Sequence, residues 1–203
     1  MLATSTAASC LRINLIKIRA TSTNQRSTSM STGLHASYFL LKSEPDEFSI
    51  QHLSTRKGSM EEWTGVRNFE ARNIMRDMKV GDRAFFYHSS CKVPGIVGTV
   101  RIAREAQPDE TALDPKHPGY DAKSTKEQNR WDAVNVRLET IYPEIVTLKE
   151  LKAQATVDPV IADMTVLKRS RLSVTRVKPE EWQAVGALLE RKVGGEDISA
   201  VST

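Results

Sequence analysis

The chain has 203 residues, 39% of them hydrophobic, with a formal net charge of +4. That suffices for one ordinary domain with a packed core, and no apolar run approaches the ~20 residues of a membrane-spanning helix. The excess charge sits in residues 1–36, which hold Arg12, Lys17, Arg19 and Arg26 and no acid, so the remainder carries 25 bases against 25 acids.

Residues 1–36 are rich in Ser and Thr, and Leu11, Leu15 and Ile18 would share one helical face. Two readings stand: a disordered leader, or a mitochondrial or plastid transit peptide. The domain begins at residue 37. Tyr38 to Leu41 reads as a buried strand that ends before Pro45. Phe48 to Leu53 reads as a short helix with Ser49 as cap, and Lys57-Gly58-Ser59 as loop. Ala71, Ile74, Met75 and Met78 make one apolar stripe of a helix over 67–78. Ala84 to Tyr87 and Ile96 to Ile102 read as strands, with Gly98 marking a bulge or a close backbone approach. Residues 105–130 are polar and proline-containing, which predicts a long, mobile loop. Trp131 to Tyr142 alternates as a strand. Leu148 to Ala155 is a short helix, and Leu172 to Val177 the last strand. Pro179 opens a final helix whose stripe is Trp182, Val185, Leu188 and Leu189. Residues 37–193 form the domain, and 194–203 read as a disordered tail. Short strands, small helices and an antiparallel tendency indicate α+β, as a small closed or nearly closed barrel flanked by helices.

The cysteines are Cys10 and Cys91, so the domain has a lone thiol and no internal disulfide. The four histidines (His35, His52, His88, His117) lack metal-ligand spacing. No cofactor, metal or membrane is expected. The oligomeric state is left open. No catalytic set stands out. Glu61, Glu62, Asp109 and Glu110 read as solvated acids, and His88 and Cys91 lie too close in one turn to act as a thiol–base pair. A neutral domain also lacks the basic excess behind non-specific phosphate binding, so any nucleic-acid affinity must come from a pocket or a local patch.

One stretch is equipped to hold a flat, polar, aromatic ligand: Trp63-Thr64-Gly65-Val66-Arg67-Asn68. Trp63 offers a stacking face, which requires its ring to be open to a cavity; the alternative is a packed core tryptophan. Asn68 can pair with a base edge or cap the following helix. Arg67 can hold a phosphate, stack on a base, or form a surface ion pair. Lys42, Ser43 and Glu44 can read exocyclic groups from a strand end, or serve the turn before Pro45. Tyr87, His88 and Ser89 end a neighbouring strand, with His88 a neutral partner or a structural residue. Arg169, Ser170 and Arg171 form a basic cluster for flanking phosphates, or a solvated turn. Trp131 is a second aromatic wall or a barrel-core residue; Trp182 reads as core.

The motifs Tyr38-Phe-Leu-Leu-Lys-Ser-Glu-Pro45, Trp63-Thr-Gly-Val-Arg-Asn68, Met78-Lys-Val-Gly-Asp82, Phe86-Tyr-His-Ser89, Pro94-Gly-Ile-Val-Gly98 and Arg171-Leu-Ser-Val174 occur in this order, and together they resemble the EVE domain from about Tyr38 to Arg191. Within that family the chain looks most like the thymocyte nuclear protein 1 group. The resemblance implies a PUA-like β-pseudobarrel related to the YTH readers of methylated adenine. It also implies a pocket for one modified base, a cytosine derivative in DNA or a modified base in RNA, and a nuclear location. The function expected is thus a nucleic-acid binding module, not an enzyme, that stacks the base on Trp63. A regulatory or protein-interaction domain that takes a small metabolite is the alternative.

Overall fold

The computed structural model describes residues 36–195. The leader reading, apart from Ala36, and the tail reading beyond Gly195 fall outside them. The strands are β1 (Tyr38–Ser43), β2 (Met60–Trp63), β3 (Arg83–His88), β4 (Gly95–Pro108), β5 (Asp132–Thr147) and β6 (Val174–Val177). The helices are α1 (Ile50–Thr55), α2 (Phe69–Asp77), α3 (Leu148–Gln154), α4 (Pro159–Asp163), α5 (Thr165–Lys168) and α6 (Pro179–Val193). All six strands join one sheet in the order β2-β5-β4-β3-β1-β6. The sheet is mixed: β1 runs parallel to β3, and every other pair is antiparallel.

The long strands β4 and β5 cannot lie flat. Their pairing slips at four places, the first between Ile96 and Gly98, and each bulge adds local twist and bend. Gly98 is required there by close approach. A Cβ on it would lie 2.2 Å from the Thr140 carbonyl oxygen and 2.5 Å from Ile50 Cδ1. So curled, the sheet brings Trp63 of β2 and Val174 of β6, from its opposite edges, into one apolar cluster with Phe39, Leu41, Phe86 and Val134. The two edges do not pair with each other. Helix α2 packs on both β5 and β6. Its buried stripe, Ala71, Met75 and Met78, enters the same cluster. It is fastened on each side, by Arg76 to Asp132 of β5 at 2.5 Å and by Asp77 to Arg176 of β6. The result is α+β, a PUA-like β-pseudobarrel flanked by short helices.

Strand alternation sends the other residues of the same strands to a second core. Leu40, Phe85 and Tyr87 face α3, α4 and α6, where they meet Leu151, Ile161, Val185 and Leu188. Trp182, expected as core, is half-buried and packs against this second core, stacked on Phe85 with ring centroids 4.0 Å apart. Helix α1 begins with the expected Ser49 cap, closed by a reciprocal box: His52 N–H donates to Ser49 Oγ and Ser49 N–H to His52 Nδ1.

Several elements differ from the sequence expectation. Strand β2 occupies residues with no apolar alternation; its backbone pairs with β5 while Glu61 and Glu62 are held by Arg56 and Arg104. Residues 105–108 continue β4, and Glu110–Leu113 is a 3-10 helix. The rest of the segment to 130 is tied by turn hydrogen bonds rather than left as an open loop. Helices α4 and α5 are too short to show a period.

Candidate functional site

After β2 the chain turns at Gly65, whose φ of 77° lies in the left-handed region that glycine enters without strain. This turn is anchored from afar. Asp109 is fully buried, and its carboxylate accepts from Gly65 N–H at 2.9 Å, Arg67 Nη1 at 2.7 Å, Thr111 N–H at 2.9 Å and Thr111 Oγ1 at 2.6 Å. Burial pushes this carboxyl up. The hydrogen bonds from Thr111, Arg67 and Gly65, with the Arg67 charge, more than offset it and hold the group below the usual carboxylate range. Asp109 is therefore not the solvated acid expected. The sequence held one usable signal, an Asp two residues before Thr111 that caps the short 3-10 helix.

Arg67 has little left for a ligand. Nε donates to Gly119 O, Nη1 to Asp109 and Val66 O, and Nη2 to Thr111 Oγ1 at 3.0 Å. Four of the five donors of a guanidinium are thus spent within the protein. Arg67 is a strut that binds the 109–119 segment to the Trp63 turn. His117 belongs to the same assembly: Gly119 N–H donates to its Nδ1 at 3.0 Å.

Between this assembly and the ends of β1 and β3 lies a cleft of about 1070 Å³. Of the residues named from sequence, it is bordered by Lys42, Ser43 and Glu44, by Trp63 and Arg67, and by Ser89, Ser170 and Arg171. Phe48, Glu47 and His117, not singled out from sequence, border it too. Trp63 departs from expectation. Its indole is only 7% exposed and belongs to the barrel core, edge-on to Phe86 at 5.3 Å and to Phe48 at 6.3 Å. The ring is a wall seen at its margin, not an open plane.

The charges of the cleft can be sorted. Lys42 Nζ donates to Ser170 O at 2.9 Å, and burial pushes its ammonium down. Glu61 and Glu62 are paired with Arg56 and Arg104. Among the described residues Glu44, Glu47 and Arg171 make no ion pair. Ser43 Oγ donates to Phe48 O at 2.6 Å, and its own carbonyl accepts from Ser89 N–H at 2.9 Å, so the two strand ends are held together.

Four expected residues do not border the cleft. Tyr87 points into the helix-side core, where burial and then the Cys91 charge push its hydroxyl up to about 12. His88 is buried and accepts from Ile50 N–H through Nε2 at 3.2 Å; burial pushes its pKa down. It serves the start of α1 rather than the cleft. Asn68 caps α2, accepting from Ala71 N–H at 3.0 Å. Arg169 is paired with Glu70. Asn68 and Arg169 instead border a smaller hollow of about 330 Å³, which shares Ser170 and Arg171 with the cleft. Trp131 joins neither the cleft nor the barrel core. It lies under Phe69, and its Nε1–H donates to Asp121 at 2.7 Å.

No helix of the described residues is long and apolar enough to cross a membrane, and among them no cluster of three His, Cys, Asp or Glu could hold a metal ion. Comparison with known proteins gives concordant matches. The profile of the EVE domain matches residues 37–188. Thymocyte nuclear protein 1 of Gallus gallus is 41% identical over 169 residues, covering 76% of this chain and 69% of that protein. A crystal structure of human THYN1 protein in complex with 5-methylcytosine containing DNA is similar at a TM-score of 0.73 and 38% identity, over 76% of this chain and 98% of that one. A crystal structure of a Pseudomonas putida protein is 48% identical at a TM-score of 0.69, over 75% and 99% of the two chains.

Proposed function

Because the chain belongs to the EVE domain family, we propose that its cleft receives a single modified base presented by a nucleic-acid strand. The observation that carries this reading is the cleft itself. Among the described residues it sets an aromatic wall, two carboxylates and a guanidinium without an ion pair, and a half-buried ammonium around a space wide enough for a heterocycle. The complex of the human relative with 5-methylcytosine containing DNA supports a cytosine derivative as the occupant.

The chemistry assigns roles. The exocyclic amine of a cytosine donates, so it suits Glu44 or Glu47 as acceptor. Lys42 supplies donors for the ring nitrogen and carbonyl of the base. Phe48 and the margin of Trp63 offer apolar surface to a methyl group. Arg171 holds the phosphate beside the base, in place of Arg67 and Arg169, whose donors are committed elsewhere; Ser89 and Ser170 offer hydroxyls at the rim. Taking a base out of a duplex costs a few kcal/mol, so a single-stranded or mispaired base enters more readily. The relatives' name supports a nuclear setting.

The test is titration of matched single-stranded oligonucleotides, with 5-methylcytosine or cytosine at one position, at fixed salt. The modified strand binds more tightly to the wild type. Arg171→Ala weakens both strands alike, as loss of a phosphate contact does. Trp63→Phe, which keeps the ring in the core, lowers the preference for the modified strand. Equal affinity of the wild type for both strands overturns the proposal.

A further inference from the structure

A second surface, just outside the cleft, has features that cleft binding does not use. Phe69 opens α2 and leaves 47% of its surface exposed. Its ring is stacked on Trp131, with centroids 4.7 Å apart and planes 18° from parallel. Two guanidinium groups stand over the same ring, Arg72 at 4.9 Å and Arg130 at 5.0 Å. The layer reaches the cleft wall, because the Arg67 guanidinium lies 5.6 Å from the Trp131 ring.

A single exposed phenylalanine is ordinary. The charges around it are not. Arg76 is neutralised by Asp132 and Arg130 faces Asp121 at 3.3 Å. Arg72 has no carboxylate within ion-pair distance among the described residues; it donates to Arg130 O at 2.7 Å and to Asn73 Oδ1. Burial, then the Arg76 charge, push its pKa down; Asp132 opposes them and the Arg130 charge adds to them. This is a crowd of cations short of an anion, in a domain whose formal charges otherwise balance. An exposed aromatic ring between guanidinium groups complements a nucleotide, which brings a π-face and a phosphate together.

We propose that Phe69, Arg72 and Arg130 form a second subsite, which stacks the base next to the one in the cleft and holds its phosphate. The proposal rests on the reading of the cleft as a base site. It makes the protein a reader of one base in a strand rather than of a free nucleoside, since part of the affinity comes from the neighbour.

The experiment compares 5-methyl-deoxycytidine monophosphate with nine-nucleotide single strands carrying one central 5-methylcytosine or cytosine. Phe69→Ala and Arg72→Gln are the variants, with Phe69→Tyr to restore the ring and thermal melting to confirm the fold. Phe69→Ala is expected to weaken the nine-mer about 5- to 150-fold, the range for a lost base–aromatic stack. The mononucleotide keeps its affinity, and Phe69→Tyr recovers that of the nine-mer. Arg72→Gln lowers the salt slope of the nine-mer by about 0.7, the value for one phosphate of a single strand. Unchanged nine-mer affinity in both Phe69→Ala and Arg72→Gln overturns the proposal. If the wild type ignores methylation but Phe69→Ala still weakens the nine-mer, the subsite stands and the cleft reading alone falls.

Discussion

Replacing Asp109 by alanine removes the anchor of the Trp63 turn, and the size of the effect follows from its surroundings. The carboxylate is fully buried and accepts four hydrogen bonds. Its partner Arg67 has a side chain 20% exposed, so the orphaned guanidinium would stay largely out of water. Breaking one side of a buried pair costs about 3–5 kcal/mol. At about 2–4 °C per kcal/mol for a chain of this size, the melting midpoint drops by roughly 6–20 °C. Urea unfolding at neutral pH measures it, with Arg104→Ala as control. That residue pairs with Glu62 where both are well exposed, 51% and 39%, so its loss costs about 0–1 kcal/mol. The pH dependence has a definite sign. The folded-state pKa of Asp109 lies below its ordinary 3.8, so its contribution is present above that value and disappears as pH falls through the lower one. Asp109→Ala should therefore flatten acid unfolding below pH ~4. A loss under about 1 kcal/mol, no larger than that of an exposed pair, would show that the four bonds do not hold the turn.

His88 gives a separate pH window. Its folded pKa is pushed below 6.5 by burial, so stability is full above 6.5 and declines as pH falls toward the folded value. Protonated Nε2 cannot accept from Ile50 N–H; His88→Gln should therefore show a shallower decline as pH falls below 6.5 in thermal melts, and equal slopes would refute the assignment. Gly98→Ala drives a methyl against the Thr140 carbonyl and Ile50. Overpacking against backbone predicts a loss of about 1–3 kcal/mol or more in denaturant midpoint; a wild-type midpoint would mean that the β4–β5 pair can yield there.

What the sequence disclosed follows the range of the interactions. The stripe of α2 and the Pro179 start of α6 are local patterns, written within a few residues, and both stand in the structure. The Gly98 prediction also held, because glycine inside a strand has few other causes. Strand β2 was hidden: it exists through pairing with β5, more than seventy residues away in sequence, and its side chains carry no alternation. Asp109 was misjudged for the same reason, since its partners Gly65 and Arg67 lie 44 and 42 residues earlier. At the site, residue types were easier to find than their directions. Lys42, Ser43, Glu44, Ser89 and Arg171 do meet around one hollow. Tyr87 and His88 share that strand end, but strand parity turns Tyr87 to the opposite face and a backbone donor of α1 occupies His88. Trp63 borders the cleft, but its burial depends on Phe48 and Phe86, which no local pattern links to it.

Helix α2 packs on β5 and β6, so part of the barrel wall is side-chain packing rather than a strand ladder. A ring of strands closed all round by ladder hydrogen bonds changes its bore only by breaking them. Here one seam is held by methionine and alanine side chains and by two ion pairs in the last turn of α2, one to each side. Trimming Met75 or Met78 would let the hoop tighten with every strand pair intact. The helix that acts as the wedge also carries Phe69 and Asn68 at its outer tip. Size changes inside the barrel would thus move the very surface on which a strand would rest.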